Sequence, residues 1–178
     1  NELANLKYLN LSNNDLNGDL YNKFDNLINL EYLNLSGNRL SRTIPASFEN
    51  MQKLTSLSLS RNQLTGRIPV ELCSISNLEQ LYLQYNNLTG ILPEQLIHLT
   101  SLKKLYLNNN KISGKIMENT FRQDILESLY LKNNELAGTF PESLCSISFI
   151  SVENNLLCPP YPSCIENILG NQDTVNCY

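Results

Sequence analysis

The chain has 178 residues, of which 42% are hydrophobic and 17% are charged, and its formal net charge is −4. This length suits a single domain, and a weakly acidic chain without a basic stripe argues against a nucleic-acid partner. No stretch approaches about 18 consecutive apolar residues, so no membrane span is expected in this segment.

Asparagine recurs along the chain with a nearly fixed period. The interval is 24 residues, and 21 at the last step, through Asn14, Asn38, Asn62, Asn86, Asn110, Asn134 and Asn155. A period of roughly 20 to 29 residues with Leu and Asn at set offsets is typical of a leucine-rich-repeat solenoid. We therefore predict an α/β solenoid of about seven coils over residues 1–157 and a cysteine-rich C-terminal cap over residues 158–178, together forming one structural domain.

Each repeat contains a Leu-x-Leu segment, such as Leu81 to Leu83, whose period of two predicts a strand with one buried face. Successive strands should stack in parallel, about 4.8 Å apart, into a concave sheet. The following Asn should lie inside the coil, where its amide bonds to backbone groups. An apolar-Pro pair then marks the end of any second short strand, because proline has no N–H. One helical turn should cover the convex side with Phe24, Phe48, Leu72, Leu96 and Leu144.

The repeat segment L-x-G-x-I-P, which reads Leu88, Gly90, Leu92 and Pro93 in the fourth copy, resembles the plant-type leucine-rich repeats of receptor-kinase ectodomains and polygalacturonase-inhibiting proteins. The match covers roughly residues 3–157. The resemblance implies an extracellular or cell-surface recognition module for a peptide, a protein or a glycan. Two copies depart from the pattern and lack the proline, at Asp19-Leu20-Tyr21 and at Lys115-Ile116-Met117.

Four of the five cysteines fall in the last 34 residues, at Cys145, Cys158, Cys164 and Cys177. A repeat array needs a cover for its last coil, so we expect a disulfide-stapled cap and an oxidising compartment. Four cysteines allow three connectivities, and we favour Cys145–Cys164 with Cys158–Cys177. A zinc site is the alternative. The segment has no C-x-x-C and no neighbouring His, so we expect neither a metal nor a cofactor.

The fifth cysteine, Cys73, occupies the repeat position of Glu49 and Ile97, which predicts a half-buried side chain. A free thiol packed on the convex side is the simpler interpretation. An intermolecular disulfide is the alternative.

Residues that flank the central leucine of each strand should point out of the concave face. One column of this face reads Asn10, Asn34, Ser58, Tyr82, Tyr106, Tyr130 and Ser151. Tyrosine combines a large apolar ring with a polar tip and is enriched at interfaces. The candidate ligand-binding residues on this face are Tyr8, Tyr32, Tyr82, Gln84, Tyr85, Tyr106, Asn108, Tyr130 and Lys132. The alternative is that tyrosine merely suits an exposed strand position.

Three N-x-S/T sequons begin at Asn10, Asn34 and Asn87 and are candidates for glycosylation in a secretory route. The first two belong to the repeat pattern itself, so they carry a high risk of a chance match. Glycans on Asn10 and Asn34 would cover the early end of the concave face and direct binding toward the later tyrosines.

No catalytic constellation is visible in the sequence. The single histidine, His98, falls in an exposed polar column, and no Ser or Cys is paired with it in a recognisable nucleophile motif. Carboxylates are scattered, without the close pair that glycoside cleavage requires. We therefore expect a binding protein and not an enzyme.

A structural building block is the alternative function. The chain opens directly inside a repeat at Asn1-Glu2-Leu3, without a matching N-terminal cap. An uncovered first coil would allow head-to-tail self-association into a ring, a filament or an extracellular assembly.

Overall fold

The computed structural model describes residues 3–21, 24, 26–175 and 177. These residues form two parallel sheets of seven strands each. The concave sheet contains β1 (Tyr8–Asn10), β3 (Tyr32–Asn34), β5 (Ser56–Ser58), β7 (Gln80–Tyr82), β9 (Lys104–Tyr106), β11 (Ser128–Tyr130) and β13 (Phe149–Ser151). The second sheet contains β2 (Asn17–Gly18), β4 (Arg39–Arg42), β6 (Gln63–Gly66), β8 (Asn87–Ile91), β10 (Lys111–Lys115), β12 (Glu135–Gly138) and β14 (Leu156–Leu157). The predicted leucine-rich-repeat solenoid is confirmed.

Buried leucines fix the orientation of the concave strands. In the five strands from β3 to β11 of the concave sheet, the central residue is a fully buried leucine: Leu33, Leu57, Leu81, Leu105 and Leu129. Each of these residues pairs with its repeat equivalent in the next strand, as Leu81 does with Leu105. One continuous core runs through the coils, because each coil buries its leucines against its neighbours.

From the second coil onward, the repeating asparagines form a ladder of largely buried amides inside the coils, as predicted, whereas Asn14 in the first coil is exposed. Nδ2 of Asn86 donates to the carbonyl oxygens of Leu59 and Leu83, both at 3.0 Å. Its Oδ1 accepts from the backbone N–H of Leu64, also at 3.0 Å. Each amide therefore ties its own coil to the preceding one. The carbonyl oxygens of Leu59 and Leu83 also accept from Asn62 and Asn110, so consecutive asparagines share their acceptors and satisfy buried backbone groups.

One turn position in the repeat requires a positive φ. Gly90 has φ +81°, and a Cβ added there would lie 2.7 Å from Cγ of Arg67 in the preceding coil. Glycine suits this position because it tolerates a positive φ and because it has no Cβ that would collide with the Arg67 side chain. The second repeat has Arg42 at the equivalent place and holds it at φ 65°, a conformation that is uncommon for a residue with a side chain.

Proline precedes four short helices on the convex side. These 3₁₀ helices span Ala46–Asn50, Val70–Ser74, Glu94–His98 and Glu142–Ser146. The fixed φ and missing N–H of proline suit a helix start. The predicted convex residues Phe48, Leu72, Leu96 and Leu144 are buried, and Phe24 packs against the core while only partly buried.

The fifth coil differs because Met117 stands where other coils have proline. Residues 116–127 contain turns and no helix. The Met117 N–H, which proline would lack, donates to Oγ1 of Thr120 at 3.1 Å. Thr120 holds the repeat position of Leu96 and is buried, and the adjacent Phe121 supplies buried apolar bulk.

Two disulfides stabilise the C-terminal segment, and one of them joins it to the last coil. They are Cys145–Cys164 and Cys158–Cys177, each with a sequence separation of 19. This is the pairing favoured from the sequence, out of the three that four cysteines allow. Because all four sulfurs are in disulfides, none is a thiolate that could hold zinc.

Gln172 extends the amide ladder into the C-terminal segment. Its Oε1 accepts from the N–H of Leu157 at 3.0 Å, and its Nε2 donates to the carbonyl oxygens of Val152 at 3.1 Å and Leu169 at 2.6 Å. These bonds repeat the pattern that Asn86 makes inside the solenoid. The last coil is therefore closed by the same chemistry that joins the earlier coils.

Cys73 is a buried free thiol, so the prediction of a half-buried side chain is wrong. Only 1% of the residue is exposed, because both Leu72 and Cys73 turn inward from their 3₁₀ helix and the neighbouring helices pack on either side. Burial raises the pKa of the thiol to about 12, with a smaller contribution from Glu71. A buried thiol that stays protonated at neutral pH is not available for an intermolecular disulfide.

Candidate ligand-binding face

The structure confirms the predicted register of the concave strands. Tyr8 pairs with Tyr32 in β1 and β3. Tyr82, Tyr106 and Tyr130 pair in turn across β7, β9 and β11. All five flank a central leucine that points inward, so their rings stand on the open side of the sheet.

The tyrosines of the strands form two groups of touching rings. Tyr8 and Tyr32 stack in parallel, with centroids 4.3 Å apart and an interplanar angle of 5°. Tyr82 meets Tyr106 edge to face at 5.0 Å and 87°, and Tyr106 meets Tyr130 at 4.4 Å and 44°. Edge-to-face and offset contacts are favourable for aromatic pairs. We call Tyr82, Tyr106 and Tyr130 the tyrosine ladder.

A coil of serines separates the two aromatic groups. Ser56, Ser58 and Ser60 occupy this third coil, and Ser56 and Ser60 are buried between larger neighbours. The hydroxyls of Ser58 and Ser60 lie 3.4 Å apart. The face therefore has a step of small polar side chains between the Tyr8–Tyr32 stack and the tyrosine ladder.

The ladder presents hydroxyl groups as hydrogen-bond donors. Oη of Tyr82 donates to Oε1 of Gln80 at 3.1 Å. Partial burial, and then the neighbouring tyrosines, raise the pKa of Tyr82 above its ordinary value, so this hydroxyl stays protonated at neutral pH. The hydroxyls of Tyr106 and Tyr130 make no hydrogen bond to any residue within the described ranges. Two donors on the ladder are therefore open to a ligand.

A polar column of Gln84, Asn108 and Lys132 follows the strands beside the ladder. Oε1 of Gln84 is buried and has no hydrogen-bond partner in the described part of the chain. Buried polar atoms are rarely left unpaired, so this acceptor lacks a hydrogen bond that a ligand donor could supply. Nζ of Lys132 lies 4.0 Å from a carboxylate oxygen of Glu153.

Tyr85 lies apart from the other candidate tyrosines. It occupies the turn after β7 with φ 59°, at the rim of the concave face. The guanidinium carbon of Arg61 lies over its ring, 4.6 Å from the centroid, which is a cation–π geometry.

Ion pairing reduces the charge beside the ladder. Nζ of Lys103 lies 2.9 Å from a carboxylate oxygen of Glu79. This hydrogen bond, followed by the charge of Glu79, raises the pKa of Lys103, so the lysine stays protonated. Since Lys103 and Lys132 both have acidic neighbours, the ladder region offers aromatic surface and neutral polar groups more than net charge.

Phe149 is an exposed ring that the sequence-based candidates omit. It is 60% exposed and pairs with Ser128 at the start of β11 and β13. Together with Tyr130, Ile150 and Ile168 it lines a cleft of about 420 Å³ at the C-terminal end of the face. Its position beside the central residue of a concave strand could have identified Phe149 as outward-facing from the sequence alone.

Two of the three sequons lie on the concave face. Oδ1 of Asn34 accepts from the N–H and the hydroxyl of Ser36, at 3.0 and 2.7 Å, and Asn10 has the same arrangement with Ser12. Asn87 is exposed on β8 of the second sheet. A glycan at Asn87 would leave the concave face open, whereas glycosylation of Asn10 or Asn34 would cover its early end. Glycosylation of each stays a prediction.

Family models match most of the chain. A model described as leucine rich repeat matches residues 28–88 and 66–112, and a second leucine rich repeat model matches residues 5–27 and 126–147. The chain belongs to the leucine-rich-repeat family. No curated protein matches it significantly.

Solved structures similar to this chain include plant receptors. A TDR receptor superposes with a TM-score of 0.87 at 34% identity, over 96% of this chain and 31% of that chain. The PEPR1–AtPEP1 structure superposes with a TM-score of 0.84 at 28% identity, over 96% of this chain and 25% of that chain. The BIR3–SERK2 complex from Arabidopsis thaliana gives a TM-score of 0.61 at 30% identity, over 88% of this chain and 72% of that chain. The chain spans less than a third of the length of the first two.

These likenesses define a plant-type extracellular leucine-rich-repeat module, similar to receptor-kinase ectodomains. Its two disulfides suit an oxidising compartment, and its location is extracellular or at the cell surface. Within the described ranges, no helix has the length and apolar character that crossing a bilayer requires.

Proposed function

We propose that this chain is an extracellular recognition module that binds a peptide, a protein or a glycan across its concave face. The observation that supports it most is the tyrosine ladder, in which three rings on consecutive strands touch one another. Rigid aromatic rings supply contact area at little cost in side-chain entropy. Contacting rings restrict one another further, which prepares the surface for a ligand.

An extended ligand would cross β7, β9 and β11 and bury its apolar groups against the ladder. Strands about 4.8 Å apart place the three rings over about 10 Å, the reach of about three extended residues. The open hydroxyls of Tyr106 and Tyr130 would donate to ligand carbonyl or hydroxyl oxygens. Asn108 and Lys132 would add polar contacts. Rotation of Gln84 would pair its buried Oε1 with a ligand donor and remove the penalty of an unpaired acceptor.

A peptide is the first ligand class to test. Similar solved structures include the plant peptide hormone receptor RGFR1 in complex with RGF2, and the HAESA ectodomain with an IDA peptide hormone. Those ligands are properties of those proteins. For this chain, the open aromatic and neutral polar face suits a peptide backbone, whose carbonyls match hydroxyl donors.

We expect no enzymatic activity. His98 is exposed as the last residue of the 3₁₀ helix Glu94–His98, away from the concave face. The role we assign to the tyrosines is binding, which requires no acid, base or nucleophile.

Self-association as a building block is the second candidate. The side chains of Leu3, Tyr8 and Leu16 are exposed on the first coil, and exposed apolar side chains favour contact with another surface. At the other end the side chains of Leu157 and Ile165 are fully buried. A head-to-tail filament needs both ends open, so contact between two first coils would form a closed dimer instead.

Parallel selections on the chain and on a ladder variant test the recognition proposal. The variant is Tyr82→Ala/Tyr106→Ala/Tyr130→Ala. The unmodified chain and the variant are each screened against a phage-displayed random peptide library and a glycan array. We expect ligands of the unmodified chain to bind the variant at least about tenfold more weakly, because central aromatic side chains dominate such interfaces. Circular dichroism would confirm that the variant is folded.

A matched control keeps the face intact. Gln63→Ala/Thr65→Ala alters exposed positions on the second sheet outside the sequons, and ligand affinity should stay within about twofold of the unmodified chain. Two results would contradict the proposal. One is a set of ligands that bind the unmodified chain, the tyrosine variant and the control variant equally; the other is a failure to obtain any ligand from both the peptide library and the glycan array.

A further inference from the structure

The fifth coil presents an apolar side chain where its neighbours present proline. Met117 occupies the repeat position of Pro93 and Pro141, and 60% of it is exposed. The turn that carries it is ordered by the bond from its N–H to Thr120. An exposed methionine in a fixed turn is a flexible, polarisable contact that adapts to apolar partners.

Met117 separates two open clefts on the side of the coils that follows the second sheet. One cleft, of about 540 Å³, lies toward the fourth coil and is lined by Glu94 and Ile97. The other, of about 320 Å³, lies toward the sixth coil and is lined by residues 139–142. Met117 and Glu118 line both clefts. The clefts form where the fifth coil lacks the short helix of its neighbours.

Three glutamates border these clefts in register. Glu94, Glu118 and Glu142 recur at intervals of 24 residues, and all three are exposed. No residue in the described part of the chain forms a salt bridge with any of them. Lys115 is the cation that lines the second cleft, so the surface keeps an excess of negative charge.

We propose that this surface, the Met117 clefts (Glu94, Ile97, Met117, Glu118 and Glu142), docks a basic amphipathic segment of a partner protein. Apolar side chains of the partner enter the clefts on both sides of Met117. Lysine or arginine side chains of the partner face the three carboxylates, none of which is in a salt bridge within the described residues. The surface is separate from the tyrosine ladder, so a partner here does not compete with a ligand on the concave face.

Charge complementarity selects a basic occupant over a second copy of the chain. A second copy would bring a further net charge of −4 to an acidic surface, and this repulsion opposes association. A segment with two apolar side chains and several basic ones satisfies both the clefts and the glutamates.

A fluorescein-labelled amphipathic peptide of leucine and lysine serves as the probe, and its anisotropy is measured against the chain. We expect saturable binding by the chain and none with a leucine–glutamate peptide. Glu94→Gln/Glu118→Gln/Glu142→Gln should weaken binding about tenfold, because three weak exposed ion pairs with the probe are lost together. Met117→Ser should weaken it as well.

The matched control removes the same charge elsewhere. Glu49→Gln/Glu135→Gln/Glu166→Gln alters three exposed carboxylates outside the clefts, and binding should stay within about twofold of the unmodified chain. Equal weakening by both triple variants would show attraction to net charge alone and overturn the proposal.

Two further outcomes would also overturn it. Loss of probe binding in the Tyr82→Ala/Tyr106→Ala/Tyr130→Ala variant, with the glutamate variants unaffected, would place the peptide on the concave face. A dimer of the chain alone that Met117→Ser dissociates, seen by sedimentation, would identify a second copy as the occupant. Since the ladder variant keeps the Met117 clefts, failure of one proposal leaves the other standing.

Discussion

A single amide can join two coils when its donors and acceptor all meet buried backbone groups. Asn86→Ala would remove three hydrogen bonds and leave the N–H of Leu64 without a partner. The carbonyl oxygens of Leu59 and Leu83 would each keep one donor, from Asn62 and Asn110 respectively. We expect the free energy of unfolding to fall by about 3 kcal/mol, because each lost hydrogen bond contributes about 1 kcal/mol and the Leu64 N–H is left buried and unpaired. Urea denaturation followed by circular dichroism measures this loss.

The adjacent residue is the control for that substitution. Asn87 is exposed on β8, and Asn87→Ala should change the free energy of unfolding by less than about 0.5 kcal/mol. Equal stability of the two variants would show that the amide ladder does not hold the coils together.

Residue-scale features follow from the sequence where the repeat dictates them. The outward position of Tyr82, Tyr106 and Tyr130 and the inward position of the ladder asparagines depend only on strand alternation and period. The burial of Cys73 does not, because it depends on how closely the neighbouring 3₁₀ helices pack. The contact angles between the tyrosine rings likewise depend on side-chain packing that periodicity does not encode.

At the scale of elements, the C-terminal segment uses an amide to close the last coil. Gln172→Ala removes three hydrogen bonds, to Leu157, Val152 and Leu169. We expect a loss of about 2 kcal/mol in the free energy of unfolding, smaller than for Asn86 because Gln172 is only half-buried. Urea denaturation again provides the measurement.

Asn171→Ala is the matched control, since Asn171 is exposed and adjacent to Gln172. It should leave the unfolding midpoint nearly unchanged. If Gln172→Ala also leaves it unchanged, the extension of the ladder into the C-terminal segment has no energetic role.

The role of Gln172 could not be read from the sequence because it is a glutamine outside the 24-residue period, 17 residues after Asn155. The longer side chain reaches backbone groups from a segment with no repeat. The missing proline at Met117 was visible in the sequence. The clefts beside it were not, because they arise from the space that an absent helix leaves between two coils.

At the scale of the whole molecule, we propose that residues 1–157 and 158–178 unfold as one domain. The hydrogen bond from Gln172 to Val152 and the Cys145–Cys164 disulfide join the two parts directly. Each disulfide closes a loop with a sequence separation of 19, which corresponds to about 3 kcal/mol of chain entropy. We expect Cys145→Ser/Cys164→Ser to lower the stability of the entire solenoid.

Hydrogen exchange read by mass spectrometry tests this cooperativity. Peptides from the C-terminal segment and from the central coils should show the same free energy of opening under global unfolding conditions, and both should fall together in the disulfide variant. Opening of the C-terminal segment alone, with the central coils as protected as before, would identify it as an independent unit.

Binding at the tyrosine ladder can be observed without a label, because the chain has nine tyrosines and no tryptophan. The most direct measurement is a titration of intrinsic tyrosine emission with a selected ligand that has no aromatic residue. Burial of the ladder rings should produce a saturable change in emission, with the affinity found in the selection, and the Tyr82→Ala/Tyr106→Ala/Tyr130→Ala variant should show no such change. Saturable binding in both proteins without any change in emission would contradict a ligand site on the ladder.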